Sequence, residues 1–197
     1  YNEQLIGAEE FLSFCGVLGL GRIGKIDPIN EPVVVADIKN AAQDERWRIR
    51  EAAAMAIQDL IDARPKATLV ILRSWVHEEN YLLNRAVVAG IAEPRFMKER
   101  EHARIALELH KTILKQVSLD PSMHDPHLKV LVKGLSYTLS VVITGTEKEG
   151  FAFLEALLAT EHPLVRKIVR ENLKKKRLVR LNPDKVALLQ QKLMTSY

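Results

Sequence analysis

The chain has 197 residues, 47% of them hydrophobic and 27% charged, with a net charge of +4. That is one domain by length, with enough apolar residue for a core, and it lies outside the disordered, collagen-like and disulfide-framework classes. The one cysteine, Cys15, excludes an internal disulfide and fits a reducing, cytoplasmic setting, and the longest apolar run, Phe11 to Leu20, is broken by Ser13 and two glycines and too short to cross a membrane.

Nearly every segment repeats its apolar residues at the 3.6 period of a helix, so the fold class is expected to be all-α. Cys15, among Phe11, Phe14 and Leu18, reads as a core residue. Gly19-Leu-Gly21-Arg-Ile-Gly24 matches the dinucleotide-binding fingerprint, with Asp37 near the place of the ribose acid. That chemistry needs a helix starting inside the glycine turn, so that its N-terminus meets the pyrophosphate. Pro28 and Pro32 follow within eight residues and leave no room for it. The glycines therefore read as a helix end and a close helix contact, and no nucleotide or other cofactor is expected. Val33-Val34-Val35 is the only strand-like run, and Asp37-Ile38-Lys39 carries it into a helical pattern.

Ile49, Ala53, Ile57 and Leu60 form the apolar stripe of a helix over about 45–62. Pro65 opens the next, with Leu69, Leu72 and Trp75, and Asn80 caps a third that ends before Pro94. A longer helix covers 97–117, and a Pro/Ser/Asp loop runs through Pro121 and Pro126. Helices follow near 127–144, 148–160 and 163–176. Asn182-Pro183 is an N-cap with proline at the first helical position, opening a last helix to about 195. The Phe11–Leu20 run lacks a basic n-region or cleavage site, and because the chain opens on Tyr1 its natural terminus is expected to be missing.

Two stretches align 35 residues apart: Asp44-Glu-Arg-Trp47-Arg-Ile-Arg50-Glu51-Ala-Ala and Glu79-Asn80-Tyr-Leu-Leu-Asn-Arg85-Ala86. Each opens on a polar cap-like residue, places an arginine in the first or second turn, and runs into small and branched apolar residues. Glu161-His-Pro163-Leu-Val-Arg166-Lys-Ile-Val is a third copy, and His124-Asp-Pro126-His-Leu-Lys129-Val-Leu-Val a weaker one. A repeat near this period marks helix pairs that bury their faces only by stacking on one another. Residues 1–197 are thus expected to form a single domain, an α-solenoid (superhelix) of antiparallel helix pairs. With these copies the chain resembles HEAT-repeat proteins, including uncharacterised bacterial ones with runs such as RWRIREA and RENLKKKRL.

Trp47 and Glu51, at i and i+4, share a helix face roughly 160–180° from Ile49. Ala54 and Gln58 continue that outward stripe, and Arg85 occupies the least apolar sector of the second helix of the next repeat. Second helices line the concave groove of a solenoid, where the three side chains would converge. Over about residues 47–86, Trp47, Glu51, Trp75-Val76, Asn80 and Leu83-Asn84-Arg85-Ala86 resemble the alkylpurine DNA glycosylases built from HEAT-like repeats. The resemblance implies that Glu51 stabilises an oxocarbenium-like sugar and orients water. It implies that Trp47 meets a cationic alkylated base through its π face, and that Arg85 holds the phosphate. The family acid is Asp where this chain has Glu51, and its later Gly-Trp position is Gly134-Leu-Ser-Tyr137 here. A structural reading stands beside the catalytic one. Arg50 and Arg85 are equivalent repeat positions, and HEAT arginines pair with acids of adjoining repeats.

Residues 166–180 carry eight Lys/Arg and one Glu, +7 in all, leaving −3 for the remainder. Such a block suggests a polyanion contact, or else a solvated helix face. Arg166, Arg170 and Lys174, at i, i+4 and i+8, would form its edge, with Lys175, Lys176 and Arg177 beyond. His124, Asp125 and His127 lack a third and fourth metal ligand, since His102 and His110 are distant on a helix; these histidines read as loop and surface residues and no metal is expected. The expected function is therefore a binding module whose basic-edged groove takes DNA or another polyanion. The alternatives are a non-catalytic scaffold that grips a protein partner in the groove, and an active alkylpurine DNA glycosylase.

Overall fold

The computed structural model describes the backbone of residues 3–27, 31–120, 122 and 124–195. Pro28 and Pro121, which the sequence reading places in connections, lie outside the described residues. Within them every element is helical and there is no strand. In chain order they are α1 (Glu3–Ile26), α2 (Glu31–Ala42), α3 (Trp47–Ala63), α4 (Pro65–Val76), α5 (Tyr81–Ile91), a 3-10 turn (Phe96–Lys98), α6 (Arg100–Leu119), α7 (Pro126–Ile143), α8 (Glu147–Leu157), α9 (Pro163–Leu173), α10 (Lys176–Leu181) and α11 (Pro183–Thr195). No helix among the described residues is long and apolar enough to cross a membrane.

The helix starts follow local chemistry. Asn80 Oδ1 accepts the Leu83 amide at 3.0 Å, and Asn182 Oδ1 accepts the Lys185 amide at 3.0 Å. Asp125 Oδ1 accepts the amides of His127 and Leu128 at 2.7 and 3.0 Å. Each satisfies donors that a helix leaves orphaned in its first turn. Proline begins α4, α7, α9 and α11, where a missing N–H costs nothing. Asp44 is a partial exception. Its carboxylate holds the backbone and guanidinium of Arg46 at 2.8, 2.9 and 2.7 Å, and Arg46 is the residue that flanks α3. The Arg46 hydrogen bond, together with its charge, holds the Asp44 carboxyl below the usual carboxylate range.

The sequence reading takes residues 1–197 as one domain; the helices gather into two compact units, residues 1–91 and 92–197. In the first, α3 packs on α1, α2, α4 and α5. Alternate helices α1, α3 and α5 are thus neighbours, with α2 resting on α1 and α3, and α4 on α3 and α5. Ile38, Ile57, Leu60, Leu72, Leu83 and Ile91 are fully buried there. The fingerprint glycines lie inside α1, so no glycine turn precedes a helix N-terminus. Their use is close approach: a Cβ on Gly21 would sit 2.7 Å from the Ala56 Cα, and one on Gly24 would sit 2.6 Å from Leu60. Val17, Gly21 and Gly24 are buried at i, i+4 and i+7 and define the face of α1 that meets α3. Cys15 is on the opposite side and exposed, which corrects its reading as a core residue.

In the second unit α9 packs on α6, α7, α8, α10 and α11, so α7, α9 and α11 again neighbour one another. Asn172, fully buried, clasps α7 and its own helix: its Nδ2 donates to the carbonyls of Leu135 and Ile168 at 2.9 and 2.8 Å, and its Oδ1 accepts the Ser140 amide at 2.8 Å. The helix expected over 163–176 stops at Leu173, and Lys175 turns extended before α10 begins. The face of α9 formed by Val165, Ile168, Val169, Asn172 and Leu173, buried along with the hydrogen-bonded Arg166, explains the stop. A straight continuation would carry Lys176 and Arg180 onto that buried face, and burying unpaired cations is costly. The break instead buries Leu178 and leaves Lys176 and Arg180 exposed.

His102 and His110 are buried rather than superficial. His110 bridges the Ala106 carbonyl at 2.8 Å and the Thr138 hydroxyl at 2.9 Å across α6 and α7, and burial pushes its pKa down to about 4.

Two stability tests arise from this packing. Gly21→Ala should destabilise the protein by about 1–3 kcal/mol through overpacking against a backbone atom. Gly19, with nothing near its missing Cβ, should gain about 0.5–1 kcal/mol on substitution by Ala. Thermal melts of the pair check both signs. His110 binds its proton less readily folded than unfolded, so its contribution is complete above pH 6.5 and fades as pH falls towards about 4. The shift corresponds to a loss of about 3 kcal/mol. Urea titrations across that window should show His110→Gln with a flatter pH dependence than the parent. Glu155 titrates lower: hydrogen bonds from Lys192 and Lys185 hold its carboxyl at about 2.

Candidate functional site

The first turns of α3 carry Trp47, Arg48, Arg50 and Glu51, and they face three different surroundings. Trp47 is the first helical residue and 59% exposed. Arg48 lays its guanidinium over the Trp47 ring, 4.8 Å from the ring centre, and pairs with Glu10 of α1 at 3.1 Å. Arg50 turns inward. It is buried, and its guanidinium donates to the carbonyls of Asp44 and Glu45, tying the α2–α3 connection to α3. Burial and the nearby Arg85 charge lower its pKa. Glu51 reaches sideways to α5, where Arg85 donates to its carboxylate.

Trp47, Glu51 and Arg85 are therefore brought into one neighbourhood. Glu51 joins Trp47 in lining a cavity of about 520 Å3, and Arg85 grips Glu51. The arginine is not disposed as a phosphate ligand. Its side chain is only 13% exposed, and it also donates to the Arg50 carbonyl at 3.1 Å. The outward stripe ends early: Ala54 is buried, because α5 approaches closely enough that a Cβ on Gly90 would lie 3.4 Å from the Ala54 carbonyl oxygen. Trp75 is a core residue.

The cavity adds residues that spacing within α3 does not reveal: Glu10, Phe11 and Phe14 of α1, and Arg48. Phe11 and Phe14 stand at i and i+3 of an apolar run that reads as core in the sequence. They mark a cavity wall instead, and Phe11 is 62% exposed.

The basic block divides into buried and exposed halves. Arg166 is buried and donates to the Leu193 carbonyl at 3.2 Å, which corrects its place on an exposed edge: it braces α9 against α11. Arg170 is half-buried, and Lys174 is exposed but paired with Glu171 at 2.6 Å. The expected stripe of Arg166, Arg170 and Lys174 does not form, because α9 ends before Lys174. Lys175 is half-buried, whereas Lys176, Arg177 and, one turn on, Arg180 are exposed on α10 and make no ion pair among the described residues. Arg166, Lys167 and Arg170 line a second cavity, of about 600 Å3, together with Glu161 and Glu171. His124 is exposed and His127 half-buried, Asp125 serves as the cap of α7, and the described residues contain no group of three or more His, Cys, Asp or Glu that could hold a metal.

No family model, curated protein or solved structure matches the chain.

Proposed function

We propose that the protein is a HEAT-like helical-repeat module that binds nucleic acid, acting in the cytoplasm. The observation that carries the reading is the set of exposed cations Lys176, Arg177 and Arg180 on α10, without an ion pair among the described residues. Unpaired surface cations condense on phosphates and release counterions, which makes binding sensitive to salt. The solenoid part of the proposal draws on a second feature. Several long-range polar contacts inside each unit fall near one separation: 37 residues for Arg22–Asp59 and Asn172–Leu135, and 35 for Arg85–Arg50 and Asn182–Glu147. Stacked repeats of one length produce such a constant offset.

Neutralising Lys176, Arg177 and Arg180 together to Gln should weaken duplex DNA binding. It should reduce the slope of log affinity against log salt by about 2–3, near one counterion for each phosphate-facing cation removed. Fluorescence anisotropy over a salt series reads both. A parent protein that fails to bind DNA at low salt sinks the reading. Arg166→Gln should act differently, lowering thermal stability because the Leu193 carbonyl loses a buried donor.

The cluster of Trp47, Glu51 and Arg85 supports an active glycosylase as a second reading. A carboxylate near the sugar would stabilise the developing cation, and a preorganised, uncompensated charge does this best. Glu51 is already engaged by Arg85. We therefore expect release of 3-methyladenine or 7-methylguanine from methylated DNA no faster than spontaneous depurination, measured chromatographically. Faster release, lost in Glu51→Gln and kept in Glu51→Asp, would establish the enzyme instead.

A further inference from the structure

The cavity between α1 and α3 combines three aromatic rings, Phe11, Phe14 and Trp47, with the carboxylates of Glu10 and Glu51 and the single guanidinium of Arg48. Two of the rings are more than half exposed, an arrangement with no folding benefit of its own. Arg48 shows what the aromatic wall accepts. Its guanidinium sits 4.8 Å from the Trp47 ring centre while Glu10 receives its N–H at 3.1 Å. The two contacts together are the ordinary recognition of a planar cation: a π face beneath it and a carboxylate at its edge. The Arg48 side chain is 53% exposed, so leaving this position for water costs it little. The Glu10 side chain is only 17% exposed, so it stays behind as a fixed acceptor.

We propose that this cavity is a docking site for an arginine side chain of a partner protein, and that Arg48 is its built-in competitor. The incoming guanidinium stacks on Trp47 and takes over the Glu10 carboxylate, while Phe11 and Phe14 cover its methylene stem. Glu51 is held by Arg85 and Glu10 by Arg48, so a guest guanidinium that replaces Arg48 at Glu10 leaves the charge of the site unchanged, whereas a phosphodiester there would meet the Glu10 carboxylate. The volume of about 520 Å3 is that of a ligand pocket and leaves room for the guest backbone. The site belongs to residues 1–91 and does not depend on the nucleic-acid reading, which rests on α9 and α10.

A competitor that occupies the site lowers apparent affinity by the fraction of time it is bound. Removing it must therefore tighten binding, the opposite of what deleting a contact residue does. The probe is the peptide acetyl-Gly-Arg-Gly-amide, followed by tryptophan fluorescence and by calorimetry. Trp75 is buried, so the optical change reports Trp47. Arg48→Ala should bind the peptide at least fivefold more tightly than the parent. Trp47→Ala and Glu10→Gln, each made in the Arg48→Ala background, should lose at least tenfold. A peptide with citrulline in place of arginine, equal in shape but uncharged, should not bind. Circular dichroism of each variant should match the parent, since Trp47 and Arg48 are exposed and Glu10→Gln keeps the shape of the side chain. Three results would overturn the proposal: no tightening in Arg48→Ala, equal binding of the citrulline peptide, or saturable displacement of the peptide by an oligothymidylate that itself stacks on Trp47.

Discussion

The contacts that hold each unit in register join residues one helix pair apart. Arg22 meets Asp59, Arg85 reaches the Arg50 carbonyl, Asn80 donates to Gln43, and Lys39 pairs with Glu78 in residues 1–91. Asn172 clasps Leu135 and Ser140, Asn182 donates to Glu147, and Lys192 pairs with Glu155 in residues 92–197. Most of the ion pairs are partly exposed and worth about 0–1 kcal/mol each. They specify alignment more than they stabilise. The fully buried rung is different, because truncating Asn172 leaves the Leu135 carbonyl and the Ser140 amide without this partner in a dry interior, at about 1–3 kcal/mol apiece. With the register set, small residues close the distance: Gly21 against Ala56 and Gly90 against Ile57 bring α1, α3 and α5 nearer than larger side chains would permit.

The register also explains the fate of the arginines. Arg50, Arg85 and Arg166 occupy matching positions in the repeated sequence, and all three guanidiniums donate to main-chain carbonyls: Asp44 and Glu45, Arg50, and Leu193. At all three matching sequence positions the arginine has the same use, bracing the main chain. Arg166 reads as an edge cation and Arg85 as a phosphate ligand when each is taken singly. Taken with Arg50, both read as braces. The guanidinium suits this use, since it keeps its charge when buried and offers several donors in one plane.

Helix positions were visible in the sequence wherever a cap or proline fixed the start: Asn80, Asn182, Pro65 and Pro163 all mark observed N-termini, whereas Pro126, read as part of a loop, opens α7 behind the Asp125 cap. The all-helical class followed from the 3.6 period. The end of α9 was not visible, because residues 173–176 contain neither glycine nor proline. The stop comes from tertiary burial, which admits Leu178 and rejects Lys176. The exposure of Trp47 and the half-exposure of Glu51 agree with the helix wheel, whereas the burial of Ala54 does not, because a single helix says nothing about where α5 will lie. The role of Phe11 and Phe14 was hidden for the same reason: an i, i+3 pair in an apolar run is indistinguishable from core until the face meeting α3 is known to pass through Val17, Gly21 and Gly24.

What the register does not account for is the better guide to function. Glu51 and Arg85 belong to the ladder, since their separation of 34 residues matches its other rungs. Trp47 does not: it is more than half exposed, and its ring meets the Arg48 guanidinium rather than a main-chain carbonyl. Phe11 is exposed too, as are Lys176, Arg177 and Arg180, which the break after α9 keeps at the surface. Large exposed rings, and cations without an ion pair among the described residues, carry no folding advantage, so their arrangement is free to answer to a ligand. Arg48 stands between the two groups. Its pairing with Glu10 has the ladder's separation, at 38 residues, but its guanidinium is spent on an exposed indole rather than on a backbone carbonyl. A rung that trades a buried anchor for a wet aromatic surface is the one most easily exchanged for a guest of the same chemistry.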